Sequence, residues 1–173
     1  FIDLMMFDKR YDAYGEEFRK LLDRFHDDEY ISTFDAAQKP IFRVIPIEKE
    51  IKGVFYEILP YEGVSAVIEN ARRVVVQRCP CRTRSRRCKN PTEICFSFDD
   101  LADYVIERGL GREVTKEEGM KLMKHAEDLG LVHQTTNSTR VNVICNCCTC
   151  CCSLLRALVH FGKSMATVQS RYR

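Results

Sequence analysis

Cys145-Asn146-Cys147-Cys148-Thr149-Cys150-Cys151-Cys152 decides how the chain is read, because six of its eight residues carry thiols. Ordinary packing asks for apolar bulk on one face of a helix or strand. This run instead offers small sulfur side chains in every direction, which suits a soft, multivalent ligand. Cys145, Cys148 and Cys151 have the Cys-x-x-Cys-x-x-Cys spacing that lets the backbone curl around one inorganic cluster, and Cys147 and Cys150 make a second, overlapping pair. The expectation is that Cys145, Cys148 and Cys151 bind, with Cys147, Cys150 and Cys152 competing for the fourth position.

Working outward, a second group precedes it: Cys79-Pro80-Cys81, then Cys88 and Cys95. It follows Val74-Val75-Val76, a buried-strand signal, so a strand empties into what reads as a loop of spaced thiols. Cys79, Cys81, Cys88 and Cys95 suffice for a complete second four-thiolate site. The ten cysteines could in principle pair as disulfides. Neighbours such as Cys147-Cys148 and Cys150-Cys151-Cys152, however, sit closer than the usual disulfide spacing of Cα atoms. Metal is therefore favoured, as one or two 4Fe-4S clusters, with zinc as the alternative because it also takes four-cysteine sites.

Arg72, Arg73, Arg78, Arg82, Arg84, Arg86, Arg87 and Lys89 surround the first group without an acid among them. They can offset the negative charge of thiolate-bound iron, and the stretch Arg72 to Lys89 could dock an acidic redox partner. Nucleic-acid binding is disfavoured: the spacing is not that of a two-cysteine, two-histidine finger, and the whole chain carries a net charge of only +2.

The remaining chain reads as an α+β fold, a small mixed helical domain with short strands and a hairpin presenting two cysteine-rich metal-binding loops. At 173 residues, 45% hydrophobic and 30% charged, it can bury a core without disulfide staples. Residues 1–60 form a helical and extended N-terminal region, 61–163 the cysteine-rich domain, and 164–173 a tail. Within the first, Phe18, Leu21, Leu22 and Phe25 mark one inward stripe, and His26 among Asp27, Asp28 and Glu29 reads as a solvated charge run. Ile41–Ile45 and Gly53–Leu59 read as extended, Glu62–Asn70 and Phe98–Arg108 as helices. Thr115 with Glu118 is a capping box for another helix, whose methionines are core filler. Leu131–Gln134 and Val141–Ile144 read as a hairpin across Asn137, followed by a helix from Ser153 to Phe161. His125 and His133 are conceivable ligands among better ones. No run of eighteen apolar residues spans a membrane, and a cytoplasmic location is expected. The start at Phe1, without methionine, reads as a piece of something longer.

Several of these segments together resemble a family. Arg78-Cys79-Pro80-Cys81-Arg82, Cys95-Phe96-Ser97-Phe98, Ala102-Asp103-Tyr104-Val105, the stretch Gly109 to Glu118, Ala126 to His133 and Ile144 to Cys148 resemble 4Fe-4S ferredoxin-type proteins of anaerobic bacteria and archaea. The resemblance covers about residues 10 to 162. It implies a winged-helix-like region, clusters held by Cys79, Cys81, Cys88, Cys95 and the 145–152 group, and a ferredoxin module after Arg173. It also implies a subunit that relays electrons for an oxidoreductase, more an electron-transfer component than a catalyst. An enzyme alternative is a cluster-assisted thiol/disulfide reductase, since Cys79-Pro80-Cys81 resembles an element of ferredoxin-thioredoxin reductases, although that family's second Cys-Pro-Cys is absent. A zinc-binding interaction or nucleic-acid module is the third class.

Overall fold

Alternation of apolar residues at Val74, Val76, Phe96, Phe98 and Ile144 builds one face of a six-stranded antiparallel sheet. The computed structural model describes residues 8–46, 63–138 and 140–168. Its strands are β1 (Phe42–Ile45), β2 (Val74–Arg78), β3 (Glu93–Phe98), β4 (Gly111–Glu113), β5 (Val132–Thr136) and β6 (Val143–Cys147), in the order β1-β5-β6-β3-β2-β4. The helices are α1 (Gly15–Phe25), α2 (Val64–Asn70), α3 (Pro80–Ser85), α4 (Asp99–Glu107), α5 (Lys116–Asp128) and α6 (Ser153–Phe161). The mixed helix-and-sheet class read from the sequence is the one observed.

Helices α2 and α5 cover one face of the sheet, with Ile68 and Met123 packed among the strand residues. Val75, one residue out of phase with Val74 and Val76, points to the other face and packs on Ala102 and Val105 of α4. Helix α5 starts as its sequence indicates: the Thr115 hydroxyl accepts a hydrogen bond from the Glu118 N–H. The hairpin of β5 and β6 is also observed, in the register Gln134 opposite Cys145 and Val132 opposite Cys147. Both strands lie further along the chain than expected: β5 begins one residue later and ends two later, and β6 begins two residues later and runs three further, through Cys147. The segment Gly53–Leu59 and Glu62 lie outside the described residues.

The N-terminal region packs against the cysteine-bearing side. Ile31 and Phe34 join Ala157 of α6 in a small cluster, and the Arg19 guanidinium of α1 donates to the Arg84 carbonyl of α3. Strand β1 and Val168 meet through a parallel bridge at Arg43, with β1 pairing β5 on its other side. Two expectations fail here. His26 is only 2% exposed, not solvated, its Nδ1 lying 2.9 Å from the Leu22 carbonyl and its ring 4.9 Å from that of Tyr30. Asp28 and Glu29 beside it are exposed and Asp27 pairs with Arg87 and Arg156, while the turn of the chain points the imidazole in. On α1, Leu22 is buried but Leu21 and Phe25 remain exposed, so the stripe is only partly covered.

Candidate metal centre

All ten cysteines are free, and five of them are buried. Strand periodicity sorts the first three. In β3 and β6, Ile94, Phe96 and Ile144 face the α2–α5 side, so Cys95, Cys145 and Cys147 face the other. Cys79 is the residue on which α3 starts, with Pro80 in the first turn where its missing N–H costs nothing, and Cys81 lies in that helix. Cys152 stands at the start of α6. These six thiols form a closed circuit of interacting neighbours: Cys79 with Cys81 and Cys95, Cys95 with Cys145, Cys145 with Cys147, Cys147 with Cys152, and Cys152 with Cys81.

The other four converge separately. Cys88, Cys148, Cys150 and Cys151 have sulfur atoms that all lie within 4.8 Å of one another. Cys88 Sγ stands 3.8 Å from Cys148 Sγ and 3.7 Å from Cys151 Sγ. A tetrahedral ion with metal–sulfur bonds near 2.3 Å sets its ligands about 3.8 Å apart, so the group has the dimensions of a site for a single ion. The loop after α3 delivers Cys88; it turns back through Arg86, whose φ of 49° is left-handed and whose N–H is bonded to the Arg82 carbonyl. The tight turn from Cys148 to Cys151, closed by the Cys152 N–H on the Cys148 carbonyl at 3.1 Å, supplies the other three.

Arg82 stands between the two groups. It is 3% exposed and donates to the carbonyls of Pro91, at 2.8 Å, and Asn146. Among the described residues it meets no carboxylate; the groups that answer it are the sulfurs of Cys148, with which it hydrogen-bonds, and of Cys79 and Cys95. Arg84, 1% exposed, donates to Ser153 Oγ at 2.9 Å and meets Asp23 at 3.5 Å, and its charge also acts on Cys81. Burying a guanidinium costs several kcal/mol unless opposite charge answers it, so this neighbourhood is built for thiolates rather than thiols.

The thiols respond accordingly. Cys81 is held well below the ordinary range by hydrogen bonding with Cys152 and Cys79, then by Arg84 and the Ser153 N–H. Cys95 is lowered by Cys145 and Cys79, then by the Asn146 N–H and Arg82. In the four-thiol group, Cys148 is pulled down to about 4, first by Cys151 and then, against burial, by Cys150 and Arg82. Burial and the Cys148 thiolate push Cys150 up to about 11. Each group thus holds some thiolates ready-formed, with hydrogen-bonded thiols beside them.

The spacing-based partition differs from this arrangement. Cys88 joins Cys148, Cys150 and Cys151 instead of Cys79, Cys81 and Cys95, and Cys145 leaves Cys148 and Cys151 for the six-thiol circuit. The reason is local structure. Cys145, Cys147 and Cys95 lie on strands and Cys81 on a helix, so only Cys88 and the turn at 148–151 behave as the thiol loops expected. His133 is buried on the opposite face of the sheet, its Nδ1 2.6 Å from Asn146 Oδ1, and His125 is exposed on α5. Asn146, unremarked in the sequence, also donates to the Ile94 carbonyl at 2.6 Å and anchors the octapeptide from behind. The basic stretch is largely answered within the chain: Arg72 and Arg73 pair with Asp103, Arg78 with Asp12, Arg86 with Glu16, and Arg87 with Asp23 and Asp27.

Compared with protein-family models, curated proteins and solved structures, the chain matches none. Its cysteine group can hold a metal ion, and no helix among the described residues is long and apolar enough to cross a membrane.

Proposed function

We propose that the protein carries electrons through thiolate-bound iron, as a relay component of an oxidoreductase. The observation that carries this reading is Arg82, a buried guanidinium with thiols in place of a carboxylate, set against the four sulfurs of Cys88, Cys148, Cys150 and Cys151. Sulfur in tetrahedral array is the ligand set of iron in one-electron centres, and a nearby fixed cation stabilises the more negative reduced state and so raises the reduction potential. Three of these cysteines are half-buried, so the site lies close enough to solvent for an electron to pass to a docked partner. The resemblance of the octapeptide to 4Fe-4S proteins supports iron, and the many free thiols suit a reducing compartment such as the cytoplasm.

A second reading is a structural zinc site, favoured by the 3.7 and 3.8 Å sulfur separations, which suit one ion. Under this reading the metal fastens the loop after α3 to the turn before α6. Oxygen-free purification with metal and acid-labile sulfide analysis separates the two. Iron, visible colour and a paramagnetic signal that changes on reduction are expected. Colourless protein with stoichiometric zinc would overturn the relay in favour of the zinc reading, and protein that takes up neither metal would overturn both.

A further inference from the structure

Strand register sets two of the remaining cysteines against each other. β3 and β6 pair Phe96 with Ile144 and Ser97 with Val143, and Asn146 Nδ2 donates to the Ile94 carbonyl at 2.6 Å, so the same register continues to Cys95 opposite Cys145. The Phe98 N–H bonds the Asn142 carbonyl at 2.9 Å, and hydrogen-bonded pairs alternate with open ones along an antiparallel ladder. Cys95 and Cys145 therefore fall on an open pair, where Cα atoms stand about 4.5 Å apart and side chains lie closest. A disulfide bridges Cα atoms about 4.4–6.8 Å apart, and these two side chains leave the same face of the sheet. Cys145 and Cys147, two apart on one strand, stand at the far limit of that range.

A cavity of about 300 Å³ opens against this face, and Cys95 and Cys145 both line it. Phe42, Leu101, Val105, Leu110 and Val143 give it apolar walls. Arg82 is the one charged side chain among the described residues that line it, and its hydrogen bonds already go to the carbonyls of Pro91 and Asn146 and to Cys148. The cavity thus suits an uncharged, largely apolar molecule. The four-thiol site uses neither Cys95 nor Cys145.

We propose that Cys95 and Cys145 form a redox dithiol, oxidised to a cross-strand disulfide by a small uncharged organic disulfide that enters the cavity. The inference goes beyond the relay reading and does not depend on which metal the four-thiol site holds. Cys95 is the attacking sulfur, because the Asn146 N–H reaches it and favours its thiolate. Its attack breaks the substrate S–S bond, leaving one half on Cys95 as a mixed disulfide. The other half departs as thiolate and takes the Cys145 proton. The Cys145 sulfur then displaces the first half from Cys95, and that half takes up from water the proton Cys95 had released. Two electrons and two protons have passed to the substrate, which leaves as two thiols; an external dithiol reverses the step.

Peptide mapping of the full chain tests this. Oxygen-free protein, supplied with Zn²⁺ to occupy the four-thiol site, is treated with bis(2-hydroxyethyl) disulfide, quenched in acid and alkylated. A Cys95–Cys145 cross-link that dithiothreitol removes is expected. Cys145→Ser is expected to stop at one mixed disulfide on Cys95. Glutathione disulfide, larger and charged, is expected to react about tenfold or more slowly at Cys95 than the small reagent, each rate taken relative to free cysteine. Cross-linking of Cys95 or Cys145 to any other cysteine, or recovery of both as free thiols, overturns the dithiol. Absence of an adduct on Cys95 in Cys145→Ser overturns its role as the attacking sulfur, and equal relative rates for the two reagents overturn the cavity as the substrate site. Failure to take up Zn²⁺ counts against the four-thiol site alone, since the map reads the Cys95–Cys145 pair with or without metal.

Discussion

Arg82→Met separates a packing role from a role tied to bound metal. The guanidinium is buried and its hydrogen bonds reach two carbonyls, those of Pro91 and Asn146. Truncation strands both acceptors at about 1–3 kcal/mol each, and that loss is common to the metal-free and metal-loaded protein. The charge term is not common to both. With metal bound, the thiolates beside Arg82 stay anionic. At an effective dielectric constant near 20, unit charges about 4 Å apart then attract by about 4 kcal/mol. Without metal, Cys148 and Cys95 are already lowered and only Cys79 is pushed up, by Cys81 and Cys95, while with metal the ion's own positive charge offsets part of the added thiolate charge. A difference of about 1–2 kcal/mol is therefore expected between the two states, which raises the metal dissociation constant about 5- to 30-fold. Chelator competition at fixed pH reads that change, and urea unfolding with and without metal reads the common term. Arg82→Lys, which keeps the charge but not the fork, should fall between. An equal loss of stability in both states, with a dissociation constant that moves less than threefold, would refute the charge argument.

Three further outcomes are expected, two at the thiols and one in the sheet. In metal-free protein at pH 6, Cys148, pulled down to about 4, should be alkylated before Cys150, pushed up to about 11; peptide mass spectrometry reads the order. The linkage has a definite sign. Because the folded value of Cys148 lies below that of an unfolded thiol, its contribution to stability is full above about pH 9 and is lost as pH falls toward 4. For Gly111→Ala, an added Cβ would lie 2.7 Å from the Val76 carbonyl oxygen and 2.8 Å from methyl carbons of Val75 and Val105. That overlap between β4, β2 and α4 is expected to cost about 1–3 kcal/mol, and thermal unfolding should shift down by about 2–4 °C for each kcal/mol. An unchanged midpoint would refute the close approach of β4 to β2 and α4 at Gly111.

Features that depend on neighbours in sequence were legible without coordinates. The Thr115 capping box, the helix that starts at Ser153 and the buried run Val74–Val76 follow from side-chain periodicity and end chemistry, and the structure contains each; the hairpin expected before Cys145 is also present, but it runs on through Cys147. Periodicity could have gone further. Cys145 and Cys147, two apart after Val143-Ile144, already have the alternation of a strand, which would have separated them from Cys148. The inward turn of His26 and the pairing of Arg72 to Arg87 with acids of other elements had no local signal.

By itself the sequence determined that this chain concentrates sulfur in two places, within a mixed helix-and-sheet domain whose strands alternate apolar and polar positions. Tertiary structure decided which sulfurs meet. Cys88 is sixty residues from Cys148 in the chain, and it reaches that turn because α3 ends in a left-handed residue that reverses the backbone. Arg82 lies one residue from Cys81, yet it touches Cys148 and the carbonyl of Asn146 because β3 and β6 are paired behind it. Spacing along a chain governs thiols that share a loop. Once they stand on strands and helix starts, the sheet's pleat and the packing of α3 and α6 govern them instead.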